Sequence, residues 1–182
     1  MASWFEPVVI AVCGSPATGK TSIAKEVSAT LHLPLITRDE LALGLRLGAT
    51  ADVTPDDIRS AAEDSMIATS ARLVSSGVSF VLESSVLDDL HLAPLAAAGA
   101  RVLVVHVVAS SAVIEQRLRD RIDAGDRAMQ RLLDQHNSGV MTPEIFAPWI
   151  DADRLVSIDT SDGQSTASPV ALVVSALDAL LR

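Results

Sequence analysis

The stretch Gly14-Ser15-Pro16-Ala17-Thr18-Gly19-Lys20-Thr21 constrains this chain more than any other. It fits the pattern G-x-x-x-x-G-K-[ST], and its flanks fit as well. Residues 8–12 are an apolar run without alternation, as expected of a strand buried on both faces. Residues 21–31 place Ile23, Val27 and Leu31 four apart, on one face of a helix. Strand, glycine-rich loop and helix is the context in which this motif cradles phosphate. Four fixed positions match by accident in under about 1% of chains of this length. An ordinary strand-to-helix turn with a solvated lysine leaves the register of two glycines, a lysine and a hydroxyl unexplained.

The residue types carry the chemistry. Gly14 and Gly19 let the backbone turn tightly and approach an anion without a Cβ in the way. Loop amides and the start of the following helix then aim donors at phosphate. The expected nucleotide-binding set is Gly14, Ser15, Ala17, Thr18, Gly19, Lys20, Thr21 and Ser22, with no side-chain chemistry assigned to Pro16 or Ala17. Lys20 reaches the β- and γ-phosphates, and the Thr21 hydroxyl is placed to ligate Mg²⁺.

The rest of the chain alternates strand and helix. Strands are expected at 8–12, 33–37, 78–82, 102–108 and 155–158. Helices are expected at 39–47, closed by Gly48, and at 56–76, opened by Thr54-Pro55 and ended by Gly77. Further helical segments read as 86–98 (disturbed by Pro94), 111–122, 126–137, a turn at 142–149, and a last helix after Ser168-Pro169. Residues 162–166 read as a loop. Alternation of this kind implies an α/β fold, a parallel sheet with helices on both faces. The ligand in such sheets sits outside the carboxyl ends of the strands, so polar groups just after a strand are the candidates.

Composition narrows the function classes. At 182 residues one domain over 1–182 is expected, with a real core. No apolar run reaches the ~18 residues of a membrane span, and the first seven residues lack the pattern of a signal peptide. The single cysteine, Cys13, cannot form an internal disulfide, which fits a cytoplasmic setting. The formal charge is −9, aromatics are 3%, tyrosine is absent and no lysine follows Lys25. That balance argues against a long nucleic acid as partner, though not against a single nucleotide. Oligomeric state is not legible.

Three carboxylates satisfy the strand-end rule: Asp39, Glu83 and Asp159. Asp39 suits a base that orients and deprotonates a hydroxyl acceptor, and competes with a reading in which it caps the next helix. Glu83 is placed to meet the metal through water, or the substrate. Asp159 opens a turn-rich loop near the nucleotide base. Arg117 and Arg121 lie four apart on one helix face beside Ala124-Gly125, and suit a lid over triphosphate spanning about 117–140. Phe146 and Trp149 read as a packing cluster or as the wall of an acceptor pocket. The histidines have no metal-ligand spacing, and His106 reads as a core or face residue.

Taken together, Gly14 to Thr21, Thr37-Arg38-Asp39-Glu40, Leu82-Glu83-Ser84-Ser85 and the arginine-bearing helix resemble the small P-loop kinases grouped under the AAA ATPase label. That group includes chloramphenicol phosphotransferase, the kinase domain of phage polynucleotide kinase, zeta-toxin-like kinases and capuramycin-type antibiotic phosphotransferases. The resemblance covers roughly residues 8–160, and only the phosphate loop is highly specific. It implies a P-loop NTPase fold with a five-stranded parallel sheet in order 2-3-1-4-5 and a helical lid. It implies Asp39 as general base, Arg38 beside it on the acceptor, and Arg117 with Arg121 on nucleotide and phosphates. Glu83 departs from the aspartate common after strand three. The expected activity is Mg²⁺-dependent transfer of the γ-phosphate of ATP or GTP to a hydroxyl of a small molecule, and the resemblance to antibiotic phosphotransferases implies an antibiotic as one such acceptor. The alternatives are a nucleotide or polynucleotide kinase, or a non-kinase ATPase switch. The base-recognition motif N-K-x-D of a GTPase switch is absent.

Overall fold

The computed structural model describes residues 6–161 and 168–182, so the loop expected at 162–166 lies outside the described residues. Five strands form one parallel sheet in the order β2-β3-β1-β4-β5: β1 (Val8–Cys13), β2 (Leu35–Thr37), β3 (Phe80–Glu83), β4 (Arg101–Val108) and β5 (Arg154–Asp159). The helices are α1 (Lys20–Leu31), α2 (Arg38–Leu47), α3 (Pro55–Ser75), α4 (Asp89–Ala97), α5 (Ser111–Asp123), α6 (Met129–Asn137) and α7 (Pro169–Leu180). A 3₁₀ turn, Pro143–Phe146, precedes β5. This is the P-loop NTPase fold and strand order that the resemblance implied.

β1 is central, and every one of its residues is buried. Its alternate side chains feed two cores. Val9, Ala11 and Cys13 join a cluster with Met66, Val74, Leu92 and Leu95 of α3 and α4. Val8, Ile10 and Val12 join Ile23, Val27, Val170 and Val173 of α1 and α7. A strand covered on both faces has no polar face, which is why its sequence shows no alternation. Among the described residues no helix is long and apolar enough to cross a membrane.

Local chemistry sets the element ends. Thr54 accepts from the Asp57 amide while Asp57 accepts from the Thr54 amide, a capping box that opens α3 with Pro55 in the first turn. The buried stripe of α3 runs Ile58, Ala62, Met66, Ser70, Val74, with Leu73 only partly buried beside it. β3 starts at Phe80 rather than 78 because the Gly77 and Val78 amides close α3, donating to Val74 and Leu73 carbonyls at 2.9 Å each. β2 is shorter than expected because Pro34 has no N–H, although its carbonyl still accepts from Val81. α6 begins at Met129, since Gly125 (φ +99°) is followed by a turn rather than a helix. Pro94 lies inside α4, which continues past it.

His91 joins α3 to α4. Its Nδ1 lies 2.7 Å from Asp88 Oδ1, and its Nε2 contacts Glu63 on α3. The ring is nearly enclosed. Two carboxylates on one imidazole make a directional tie that neither helix provides alone.

Gly14 shows how tightly the first loop is seated. It has φ +139°, and a Cβ there would lie 2.1 Å from the Val107 carbonyl oxygen of β4. Its amide donates to the Ser85 carbonyl at 3.2 Å. Gly14→Ala is expected to lower unfolding stability by about 2 kcal/mol or more, through backbone strain and displacement of β4. Urea denaturation measures this, and a variant as stable as the parent would mean that the loop is not held against β4.

Candidate active site

The phosphate loop turns from β1 into α1 through two positive-φ glycines and one positive-φ alanine: Gly14, Gly19 (φ +90°) and Ala17 (φ +65°). An alanine in that region is strained by roughly 1–2 kcal/mol, so the surroundings must hold it there. They do so through its carbonyl, which accepts from Arg117 Nη1 at 3.1 Å. Gly19 precedes α1 and offers no side-chain cap, so the first amides of the helix are left for an anion. The Ser22 amide instead bonds back to the Gly19 carbonyl.

Below the loop, Lys20 and Glu83 form an ion pair at 3.5 Å, with side chains only 10% and 3% exposed. Glu83 is the last residue of β3 rather than the first after it, and this fixes its direction toward α1. Burial pushes its carboxyl above the ordinary glutamate range, opposed by Lys20, reinforced by Asp39, and opposed again by the Thr21 hydroxyl. Lys20, Thr21 and Asp39 are thus each close enough to act on Glu83. Thr21 and Glu83 supply hard oxygen donors side by side, which fits a Mg²⁺ that takes its remaining ligands from phosphate and water. Among the described residues no group of three or more His, Cys, Asp or Glu could hold a metal without such help.

Asp39 sits in the first turn of α2, but Thr37 caps that helix, accepting from the Glu40 amide at 3.0 Å. The competing reading of Asp39 as a cap therefore falls. Its side chain is 75% exposed and pairs with Arg38 at 3.0 Å.

Arg117 and Arg121 go to different partners. Besides Ala17, Arg117 donates to Thr160 Oγ1 at 3.0 Å and to the Thr160 carbonyl at 2.9 Å. Arg121 instead pairs with Asp126 at 2.8 Å, across the turn that joins α5 to α6. Those helices share a small core of Ile114, Leu118 and Leu133, against which Ala17 packs.

Thr160 was not singled out from the sequence. Its hydroxyl donates toward the Thr18 carbonyl at 2.7 Å and lies 3.2 Å from the Val108 carbonyl, while its amide donates to Val108 at 2.9 Å. It joins β4, β5, the phosphate loop and the lid. The strand-end rule pointed to its neighbour Asp159, which accepts from the amide and hydroxyl of Ser161 and is held below the ordinary aspartate range by those bonds. The signal for Thr160 was the same rule, applied to a hydroxyl instead of a carboxylate.

A cavity of about 390 Å³ opens between the loop edge and the lid. It brings together Ser15, Thr18, His106, Ser111, His136 and Phe146. Ser111 and His136 Nε2 are 3.0 Å apart. Burial pushes the His106 ring below the ordinary histidine range, and the Phe146 carbonyl partly offsets this by accepting from it. Phe146 and Trp149 part company: Trp149 joins the α3/α4 core, and only Phe146 faces the cavity. Cys13, pushed up to about 12 by burial, is an inert thiol.

A family model described as an AAA domain matches residues 9–142. Solved structures share the fold. One from Chloroflexus aurantiacus, whose kinase label is provisional, superposes with TM-score 0.73 at 22% identity, covering 98% of each chain. A sugar kinase from Janibacter sp. gives TM-score 0.65 at 21% identity, covering 94% of this chain and 95% of that one. APS kinase from Mycobacterium tuberculosis, solved with AMPPNP and APS, gives 0.58 at 16%, covering 96% and 99%. No protein of curated function matches the sequence significantly.

Two outcomes follow from this geometry. Arg117→Ala removes the donor to the Ala17 carbonyl and both bonds to Thr160, and is expected to destabilise the chain by about 1–3 kcal/mol. Arg117→Lys should not restore the loss, because one ammonium cannot reproduce the guanidinium fork; thermal unfolding of both variants decides. Because the folded chain holds the Glu83 carboxyl above its unfolded value, the folded state binds more protons, and this residue's contribution to stability falls as pH rises from the unfolded value through the folded one. Glu83→Gln should remove that slope. Unfolding midpoints of parent and variant, compared from acid to neutral pH, should diverge if this is right and run parallel if it is not.

Proposed function

The chain belongs to the AAA domain family matched over residues 9–142, and from that premise we propose that it is a kinase that moves the γ-phosphate of ATP or GTP onto a hydroxyl of a small molecule. The observation that carries the reading is the convergence of Lys20, Thr21, Glu83 and Asp39 at the carboxyl ends of β1, β2 and β3. Binding and switching alone need the loop and its lysine. An exposed carboxylate beside the phosphate end, not used as a cap, suits a proton acceptor. The provisional kinase, the sugar kinase and the APS kinase with the same fold are consistent with that reading.

The roles divide as follows. Loop amides between Ser15 and Thr21 and the Lys20 ammonium bind the β- and γ-phosphates. Thr21, with Glu83 through water, would hold Mg²⁺, which neutralises charge on those phosphates. Asp39 takes the proton of the acceptor hydroxyl. That oxygen forms a bond to the γ-phosphorus, the bridging bond to the β-phosphate breaks, and the nucleoside diphosphate leaves. Arg38 steadies Asp39 and the acceptor. Arg117 holds the base side of the loop, and Arg121 leaves Asp126 to meet the phosphates when the lid closes. Residues 1–182 act as one kinase domain. The resemblance of the sequence motifs to those of chloramphenicol and capuramycin-type phosphotransferases is the ground for an antibiotic as the acceptor, and the acidic chain disfavours a polynucleotide.

Asp39→Asn is expected to lower phosphotransfer by about 10²–10⁴-fold while nucleotide affinity stays within about twofold. Turnover comes from a coupled diphosphate assay and affinity from calorimetry with a non-hydrolysable triphosphate. Unchanged turnover would sink the assignment of Asp39.

A further inference from the structure

His91 is a buried titratable group that the phosphate chemistry does not use. Its side chain is 7% exposed, and both ring nitrogens face carboxylates: Nδ1 lies 2.7 Å from Asp88 Oδ1, and Nε2 contacts Glu63. The same Asp88 oxygen accepts from the Leu90 amide at 3.0 Å, as the cap of α4. That bond fixes Asp88 as an acceptor, so Nδ1 carries a hydrogen and donates it. A neutral ring has one N–H only, and Nε2 would then turn a lone pair toward the Glu63 carboxylate. The contact with Glu63 therefore closes only with one further proton between the two groups. Inside an enclosed site the repulsion of lone pairs is poorly screened, so the contact opens when that proton leaves.

The cluster is otherwise without counter-charge. Among the described residues neither Glu63 nor Asp88 pairs with a lysine or arginine. Asp64 and Asp89, next in sequence, are exposed. Residues 84–87, which lead into α4, carry no charge, and β4 meets the α3/α4 core through Val102 and Val104.

The contact lies where the fold is lightly fastened. Met66 and Val74 of α3 belong to the core shared with α4, whereas Ile58 and Ala62, nearer the start of α3, lie outside it. Glu63 is thus the point at which the first turns of α3 are tied to α4. Helix α2 leans on α3, has no fully buried residue of its own, and carries Asp39 in its first turn. On the other side of the contact, Asp88 closes the short segment that follows Glu83. The tie therefore spans from the helices that carry Asp39 to the strand that carries Glu83.

We propose that Glu63, His91 and Asp88 form a proton-operated catch that fixes the α2–α3 pair, and Asp39 with it, relative to Glu83. The closed form binds one proton more than the open one, so the catch is closed at lower pH and opens as the pH rises. His91 acts through these helices and is a positioning residue. The consequence for the acceptor rests on the kinase reading; the catch itself does not.

The test is amide hydrogen exchange of the full chain in mildly acidic and mildly alkaline buffer, corrected for the chemical exchange rate at each pH. Protection of residues 57–63 in the parent is expected to fall at least about tenfold at the higher pH. Residues 67–75 and α1 should keep theirs, which shows that the fold is intact. Glu63→Gln offers an amide N–H to the Nε2 lone pair and needs no extra proton, so its protection should not change with pH. His91→Ala should lose the protection of 57–63 in both buffers; if that variant does not fold, the other two chains decide. Equal protection of the parent at both pH values, the same fall in Glu63→Gln, or full protection in a folded His91→Ala would each overturn the proposal. Initial rates with Mg²⁺, ATP and chloramphenicol as the acceptor probe give the second readout. The acceptor KM of the parent should rise with pH and that of Glu63→Gln should stay level, with the KM for ATP unchanged in both. An acceptor KM that moves alike in both chains would reject the link to Asp39. No transfer by either chain would count against the proposed function and leave the catch, read by exchange, standing.

Discussion

A loop that turns its amides inward to face an anion turns its carbonyls outward, and those carbonyls must find donors. Most of this site follows from that constraint. The Ser15 carbonyl accepts from the Thr18 hydroxyl within the loop. The Ala17 carbonyl takes Arg117, and the Thr18 carbonyl takes the Thr160 hydroxyl. Ala17 can stay in a conformation that alanine avoids because its carbonyl is held. Arg117 of α5 and Thr160 after β5 hold these two loop carbonyls, and Thr160 is bonded in turn to the Val108 carbonyl at the end of β4, so the shape of the phosphate cradle and the position of α5 are set together.

Inside the cradle the electrostatic problem is reversed. Lys20 is nearly buried and needs a counter-charge when no phosphate is present; Glu83 supplies it at 3.5 Å. A buried pair of this kind contributes little net stability, since desolvation offsets most of the attraction. Its value lies in exchange. Under the proposed function an arriving phosphate would replace Glu83 as the partner of Lys20, and would leave the Glu83 carboxylate beside the Thr21 hydroxyl, where a hard cation would take up the charge. Lys20 and Glu83 are therefore held together as one neutral pair.

How much of this was legible depends on the range of each interaction. The loop, its strand and its helix are contiguous, and their pattern carried the fold class. The Thr54-Pro55 start of α3 and the Gly48 close of α2 were legible for the same reason, since capping is local chemistry. Strand ends were less so. Val78 is as apolar as the strand that follows it, and only the closing turn of α3 shows that its amide is already engaged. The Arg117–Ala17 bond joins residues 100 apart, and the Thr160–Thr18 bond joins residues 142 apart. No periodicity reports such pairs. The even spacing of Arg117 and Arg121 suggested a common task, but a shared helix face does not imply a shared partner, and Arg121 turns to Asp126.

The same argument from range explains why the two halves of the site differ in readability. Phosphate is the same ion in every nucleotide, so a short contiguous motif suffices to hold it, and charge does most of the work. The cavity is assembled from β4, α5, α6, the 3₁₀ turn and the loop, with each element contributing one to three side chains. Such a surface can change its shape by single substitutions without disturbing the cradle, because the shared contacts run through backbone carbonyls that any residue provides. Separation of this kind leaves the cradle unchanged while the cavity wall varies.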